Sequence, residues 1–229
     1  MHIIETQINK PIVISLEGIH GVGKTTVFNI LKRNRQSSKY KFYSELLLKN
    51  PLWPFGSRDK QIAFRAELHF MQQMVERNKF IQDDIEKKRV KIAILDRSAI
   101  SVLAYSKALD LPNKDFKVLY DYYQSVKWLE SILFYLEAEP ETIFKRIKNR
   151  ESLEPERLEW NEDDLNYIIN LQKYYNIYLE KYKKRLLVIR INTDNLTPEE
   201  TADQIIYNIN NYITEKYHRD NKITIDNWI

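Results

Sequence analysis

Gly18-Ile19-His20-Gly21-Val22-Gly23-Lys24-Thr25 is the stretch on which the fold turns. It follows the apolar run Pro11 to Leu16 and precedes a helix-prone segment, Thr26 to Lys32. A glycine-rich turn between strand and helix brings backbone N–H groups and a helix N-terminus onto one point, as a polyphosphate requires. The spacing predicts a cradle for ATP built from Gly18, Ile19, His20, Gly21, Val22, Gly23, Lys24, Thr25 and Thr26. In such a cradle Lys24 reaches the β and γ phosphates and the Thr25 hydroxyl binds Mg²⁺. Glycine usage supports this: the chain has four glycines, and Gly18, Gly21 and Gly23 are three of them. They sit where positive φ or close backbone approach is needed.

Outward from this loop, five apolar, β-branched or aromatic runs recur: Pro11 to Leu16, Tyr40 to Tyr43, Lys91 to Leu95, Ser131 to Leu136, and Leu186 to Ile191. Segments of helical period separate them. Phe64, Leu68, Met71 and Val75 form one buried stripe, and Leu165, Ile168, Leu171, Tyr175 and Tyr178 another. Thr197-Pro198-Glu199-Glu200 reads as an N-cap, a proline at the first helical position and a capping box. Strands alternating with helices predict an α/β, three-layer P-loop NTPase fold, with a five-stranded parallel sheet covered on both faces. The ligand crevice of such a sheet lies beyond the carboxyl ends of its strands.

The 229 residues, 43% of them hydrophobic, suit one domain spanning 1–229, with a lid near 146–160 and a polar tail near 218–229. Lys and Arg outnumber Asp and Glu by only 36 to 32. That mild excess fits anionic small molecules and argues against a nucleic-acid polymer as partner. The absence of cysteine excludes disulfides and thiolate metal sites. No apolar run reaches bilayer length and no secretory pattern opens the chain, so no membrane partner and a cytoplasmic location are expected.

Charged residues cluster around the predicted crevice. Asp96-Arg97 follows the third run, where a carboxylate can hold Mg²⁺ and a guanidinium can clamp phosphate. Glu45 follows the second run, placed to accept a proton from a hydroxyl or to hold a sugar. Arg146, Arg150 and Arg157 flank an acidic stretch and predict a mobile flap of arginines over the phosphates. Asn192-Thr193-Asp194 follows the fifth run, where the loop backbone through Asp194 could edge the adenine ring or serve only an Asx turn. His20 lacks a visible orienting partner and is expected near the acceptor, not as a general base.

Leu16 to Thr26, the Asp96-Arg97 pair and the arginine flap together resemble the thymidylate kinase and deoxynucleoside kinase group, over roughly 12–206. Asp96-Arg97-Ser98-Ala99-Ile100-Ser101-Val102-Leu103-Ala104-Tyr105 is similar to the thymidylate kinase D-R-[YH]-x-x-S-x-x-A-Y pattern, and Glu156-Arg157-Leu158-Glu159 to that family's flap signature. The resemblance implies that Arg97 holds an acceptor phosphate and that Arg77 faces the base. Tyr105 joins the substrate contacts, and Arg146, Arg150 and Arg157 steady the transferring phosphoryl. His20 stands where that family has Asp, Ser98 replaces its aromatic residue, and its R-E-P-G-G segment is absent. Glu45 with Asn50-Pro51, and Asp96-Arg97-Ser98, resemble instead the E-x-x-x-x-N-P and E-R-S segments of deoxynucleoside kinases. There Glu45 would be the base at a 5′-hydroxyl, and Glu67 falls where that group uses glutamine against the nucleobase, with Met74 further along the same face. The related families also imply a helix-mediated homodimer.

These features predict a phosphotransferase using ATP and Mg²⁺. The expected acceptor is a deoxynucleoside monophosphate, dTMP first, with a free deoxynucleoside as the alternative. A nucleotide-dependent switch fits less well, because Pro112-Asn113-Lys114-Asp115 lacks the N-K-x-D spacing.

Overall fold

The computed structural model describes residues 10–35, 40–45, 57–149 and 164–226. Along the chain run β1 (Ile12–Glu17), α1 (Lys24–Asn34), β2 (Tyr40–Tyr43), α2 (Lys60–Glu86) and β3 (Ile92–Asp96). Then come α3 (Ala99–Ala108), α4 (Asn113–Ser125), β4 (Ile132–Glu137), α5 (Pro140–Lys148), α6 (Leu165–Tyr182), β5 (Leu187–Asn192) and α7 (Pro198–Asp226). The five strands form one sheet in the order β2-β3-β1-β4-β5, every pair parallel.

β1 lies at the centre and is buried along its whole length, as expected of a strand covered on both faces. From β1 the chain passes over β3 to β2, returns to β3, and then crosses to β4 on the other side. The reversal opens a crevice at the carboxyl ends of β1, β3 and β4. α1 packs against α7, while α3 packs against α2 and α6.

Local signals set the helix ends. Asp59 accepts from the amides of Gln61 and Ile62 to start α2, and Asp164 does the same for Asn166 and Tyr167 at α6. The Thr197 capping box is present: the Glu200 amide donates to Thr197 Oγ1 at 3.1 Å, and the Thr197 amide donates to Glu200 Oε2 at 2.8 Å. Met71 and Val75, and Ile168, Leu171, Tyr175 and Tyr178, are buried as their spacing predicts, whereas Phe64, Leu68 and Leu165 of the same stripes are half-buried. Four of the five strands lie one residue later than their apolar runs, ending on Glu17, Asp96, Glu137 and Asn192. The parallel ladder carries these polar residues to the edge of the crevice. No helix among the described residues is long and apolar enough to cross a membrane.

Candidate active site

Parallel register collects the polar strand ends on one edge: Leu16 faces Asp96, Glu17 faces Tyr135, and Glu137 faces Asn192. Between the first two, the loop after β1 turns into α1. Gly18 has φ 143°, and a Cβ there would stand 2.4 Å from the carbonyl oxygen of Leu136. Glycine is therefore the residue that lets this loop lie against the end of β4. Gly23 caps α1 in the left-handed region, φ 102°, with no side-chain hydrogen bond. The first-turn amides of α1 are thus left to an anion.

Lys24 is buried and donates from Nζ to the Ile19 carbonyl at 2.7 Å, curling over its own loop. Burial, and then the charge of Arg97, lower its pKa to about 7. A triphosphate in the loop would reverse that balance. Thr25, next in the helix, is exposed. Asp96 is 5% exposed, and its Oδ1 has no hydrogen-bond partner among the described residues. Burial and then Glu45 raise the Asp96 pKa. A buried, unpartnered carboxylate oxygen fits Mg²⁺, which takes one or two protein oxygens and completes its shell with water and phosphate.

Glu17, fully buried, is the residue sequence reasoning passed over. Its Oε1 accepts from the Ser98 amide at 2.6 Å and the Ser98 hydroxyl at 2.7 Å; its Oε2 accepts from Tyr175 Oη at 3.0 Å. Burial raises its pKa against the lowering effect of Arg97. The available signal was an acid ending an apolar strand next to Gly18, where no solvated role is open to it. Through Glu17 the cradle strand is tied to the start of α3 and the middle of α6.

Arg97 lies beside this hub with φ 65°, a left-handed conformation that costs a non-glycine residue about 1–2 kcal/mol. Its Nε is 2.6 Å from Glu45 Oε1, and its guanidinium lies 5.3 Å from the Tyr105 ring centre. Burial opposes the Arg97 charge, but Glu45, then Tyr105 and Tyr175, hold its pKa above the ordinary value. His20 turns the same way. Its ring stacks 5.9 Å from Tyr167, and Nδ1 is 3.4 Å from Tyr105 Oη. The structure thus brings Glu45, Arg97, Tyr105 and His20 together beside the cradle.

Glu67 is 4% exposed on α2, within electrostatic reach of Arg97 and Glu45. Burial raises its pKa to about 8, and Glu45 adds to this against Arg97. At neutral pH it is mostly a protonated acid, with one O–H donor and one carbonyl acceptor. Gln73, one turn before Arg77 on α2, is also buried, and its Oε1 has no partner among the described residues.

Four residues expected at the site have partners within the protein itself. Arg77 does not present its guanidinium to an open base site: Nη1 donates to the carbonyls of Ser44 (3.0 Å) and Asp96 (2.7 Å), and Nη2 to that of Arg97 (2.7 Å). Met74 follows it inward, its sulfur 3.0 Å from Arg77 Nη2 within the core. Arg146 sits on α5 and donates to Thr193 Oγ1 at 3.0 Å and Thr193 O at 2.6 Å, so its contacts brace the turn after β5. The Asp194 carboxylate accepts from the Glu139 amide at 3.0 Å, fixing that turn to the start of α5, and the Asp194 amide donates to Asn192 Oδ1 at 2.8 Å, the Asx turn of the alternative reading. Arg150, Arg157, Asn50-Pro51, Glu156 to Glu159 and the end of the tail lie outside the described residues.

A family model described as "Deoxynucleoside kinase" matches residues 14–214. Among curated proteins, the thymidylate kinase of Clostridium novyi (strain NT) is 24% identical over 191 residues, covering 80% of this chain and 92% of that protein. Solved structures of deoxyadenosine kinase from M. mycoides share the fold at 20% identity. The one with the products dCMP and dCDP superposes with a TM-score of 0.68 over 88% of this chain and all of that one. The dATP-bound one has the same score over 87% of this chain and all of that one.

Proposed function

The chain belongs to the deoxynucleoside kinase family and is a phosphotransferase, and from that premise we propose that it moves the γ-phosphoryl of ATP to the 5′-hydroxyl of a deoxynucleoside. The observation that carries this is the Arg97–Glu45 pair at 2.6 Å. An acceptor monophosphate would bring about two negative charges to Arg97 and meet a carboxylate already there. A neutral hydroxyl leaves the pair in place, so the free nucleoside is favoured over dTMP.

The chemistry follows from the groups at the edge. Glu45 accepts the proton of the 5′-hydroxyl. The oxygen forms its bond to the γ-phosphorus as the bond to the β,γ-bridging oxygen breaks, and ADP departs with that electron pair. Lys24 and Arg97 lie beside the oxygens on which charge spreads. Thr25 and Asp96 would hold Mg²⁺, which would supply further neutralisation of the developing charge when bound. Glu67, as a neutral acid, can donate to and accept from a nucleobase edge.

The test is a product analysis. The purified protein is given ATP and magnesium with thymidine, deoxyadenosine, deoxycytidine, deoxyguanosine or dTMP, and products are separated by chromatography. Monophosphate from at least one nucleoside, with dTMP untouched, is expected. Conversion of dTMP to dTDP with every nucleoside inert would overturn the proposal.

A further inference from the structure

One guanidinium ties together the two strand ends that carry Glu45, Asp96 and Arg97. Arg77, 2% exposed in the middle of α2, donates to the carbonyls of Ser44, Asp96 and Arg97. Ser44 immediately precedes Glu45, so the three carbonyls belong to the two strand ends that carry Glu45, Asp96 and Arg97. Arg97 has its left-handed backbone at this point, and such a conformation persists where its surroundings over-determine it. Its own amide donates to the Leu16 carbonyl at 2.9 Å, its carbonyl is held by Arg77, and the next amide, that of Ser98, is held by Glu17. Burial lowers the Arg77 pKa, and Glu130, then Glu45, Asp96 and Glu17, oppose this only in part.

We propose that Arg77 is a positioning residue for phosphoryl transfer, which sets the distance between Glu45 and Arg97 without touching either substrate. The inference rests on the acceptor-side roles given above to Glu45 and Arg97. Its physical basis is the planar fork: fixed N–H directions can serve carbonyls from two strands at once, whereas an ammonium is a compact point charge on a flexible stem. A residue that only filled the core would stabilise α2. Arg77 also holds β2 against β3 at their functional ends, where a shift of about 1 Å in an aligned site lowers rate by about 10²-fold.

The experiment compares Arg77→Met, which keeps the length, Arg77→Lys, which keeps the charge, and Ile81→Ala, a core change on the same helix. Each is melted thermally and assayed for kcat and for KM toward ATP and the best deoxynucleoside. Expected for both Arg77 variants is a kcat about 10²-fold lower with KM for ATP within about twofold. Ile81→Ala should lose melting temperature while keeping kcat. The proposal is overturned if the Arg77 variant that folds keeps kcat within threefold, or if Ile81→Ala loses kcat in the same proportion. Should Arg77→Met not fold, Arg77→Lys alone decides. Absence of transfer by the wild-type chain to any deoxynucleoside defeats the functional proposal instead; the variant-to-wild-type ratio on whichever acceptor is active still tests Arg77.

Discussion

Arg97 Nε lies 2.6 Å from Glu45 Oε1, joining the residues that follow the neighbouring strands β3 and β2. A carboxylate paired with a guanidinium suits the proposed acceptor, a hydroxyl that must lose a proton while charge builds beside it.

Glu45→Gln keeps the shape and removes the base. Transfer to the deoxynucleoside should fall by about 10² to 10³-fold in kcat, with affinity for ATP unchanged. Loss of the negative charge should also strengthen inhibition by dTMP several-fold. Steady-state kinetics with dTMP as inhibitor measures both, and an undiminished kcat counts against Glu45 as the base.

Lys24 in the free protein is held near pKa 7 by burial and by Arg97. Triphosphate should restore its charge, so binding at pH 8 takes up close to one proton and binding at pH 6 almost none. Calorimetry in two buffers of different ionisation enthalpy reads this directly. Lys24→Ala should remove both the uptake and the turnover while the protein still melts cooperatively; equal uptake at the two pH values contradicts the assignment.

Glu67 has its folded pKa raised from an ordinary 4.5 to about 8, chiefly by burial. Between those values the folded state holds a proton that the unfolded state releases. Stability therefore falls as pH rises through that window, and the loss is complete above about 8. Glu67→Gln removes the penalty. In denaturant titrations the variant should exceed the wild type by a few kcal/mol at pH 8 and approach it at pH 5. A difference that does not change with pH argues against this environment for Glu67.

Gly18→Ala places a Cβ 2.4 Å from the Leu136 carbonyl oxygen and 2.9 Å from Val22 Cγ1, at φ 143°. A destabilisation of roughly 2–4 kcal/mol is expected, together with weaker nucleotide binding, because the cradle must lift off β4. Chemical denaturation and nucleotide titration of the same variant check the two effects. A variant as stable as the wild type would mean that the loop has room to spare.

Whatever depends on short-range spacing was legible: the cradle between a strand and a helix, the Thr197 capping box, the buried stripe of α6. Strand ends were misplaced by one residue because hydrophobicity stops at the last core position while the hydrogen-bond ladder carries Glu17, Asp96, Glu137 and Asn192 one step further. Arg146 was expected over phosphates for its position near the flap, yet Thr193, distant in sequence, takes both its terminal nitrogens.

By itself the sequence determined that a phosphate-binding loop opens a parallel α/β sheet, since glycine placement, strand composition and helix caps act over a few residues and need no partner. Only the tertiary structure decided who holds whom at the site. Glu17 meets Ser98 across 81 residues and Tyr175 across 158, and Arg77 takes up carbonyls from two strands. Such pairings follow from sheet order and burial: a charged group taken out of water must find its partner wherever the fold brings one.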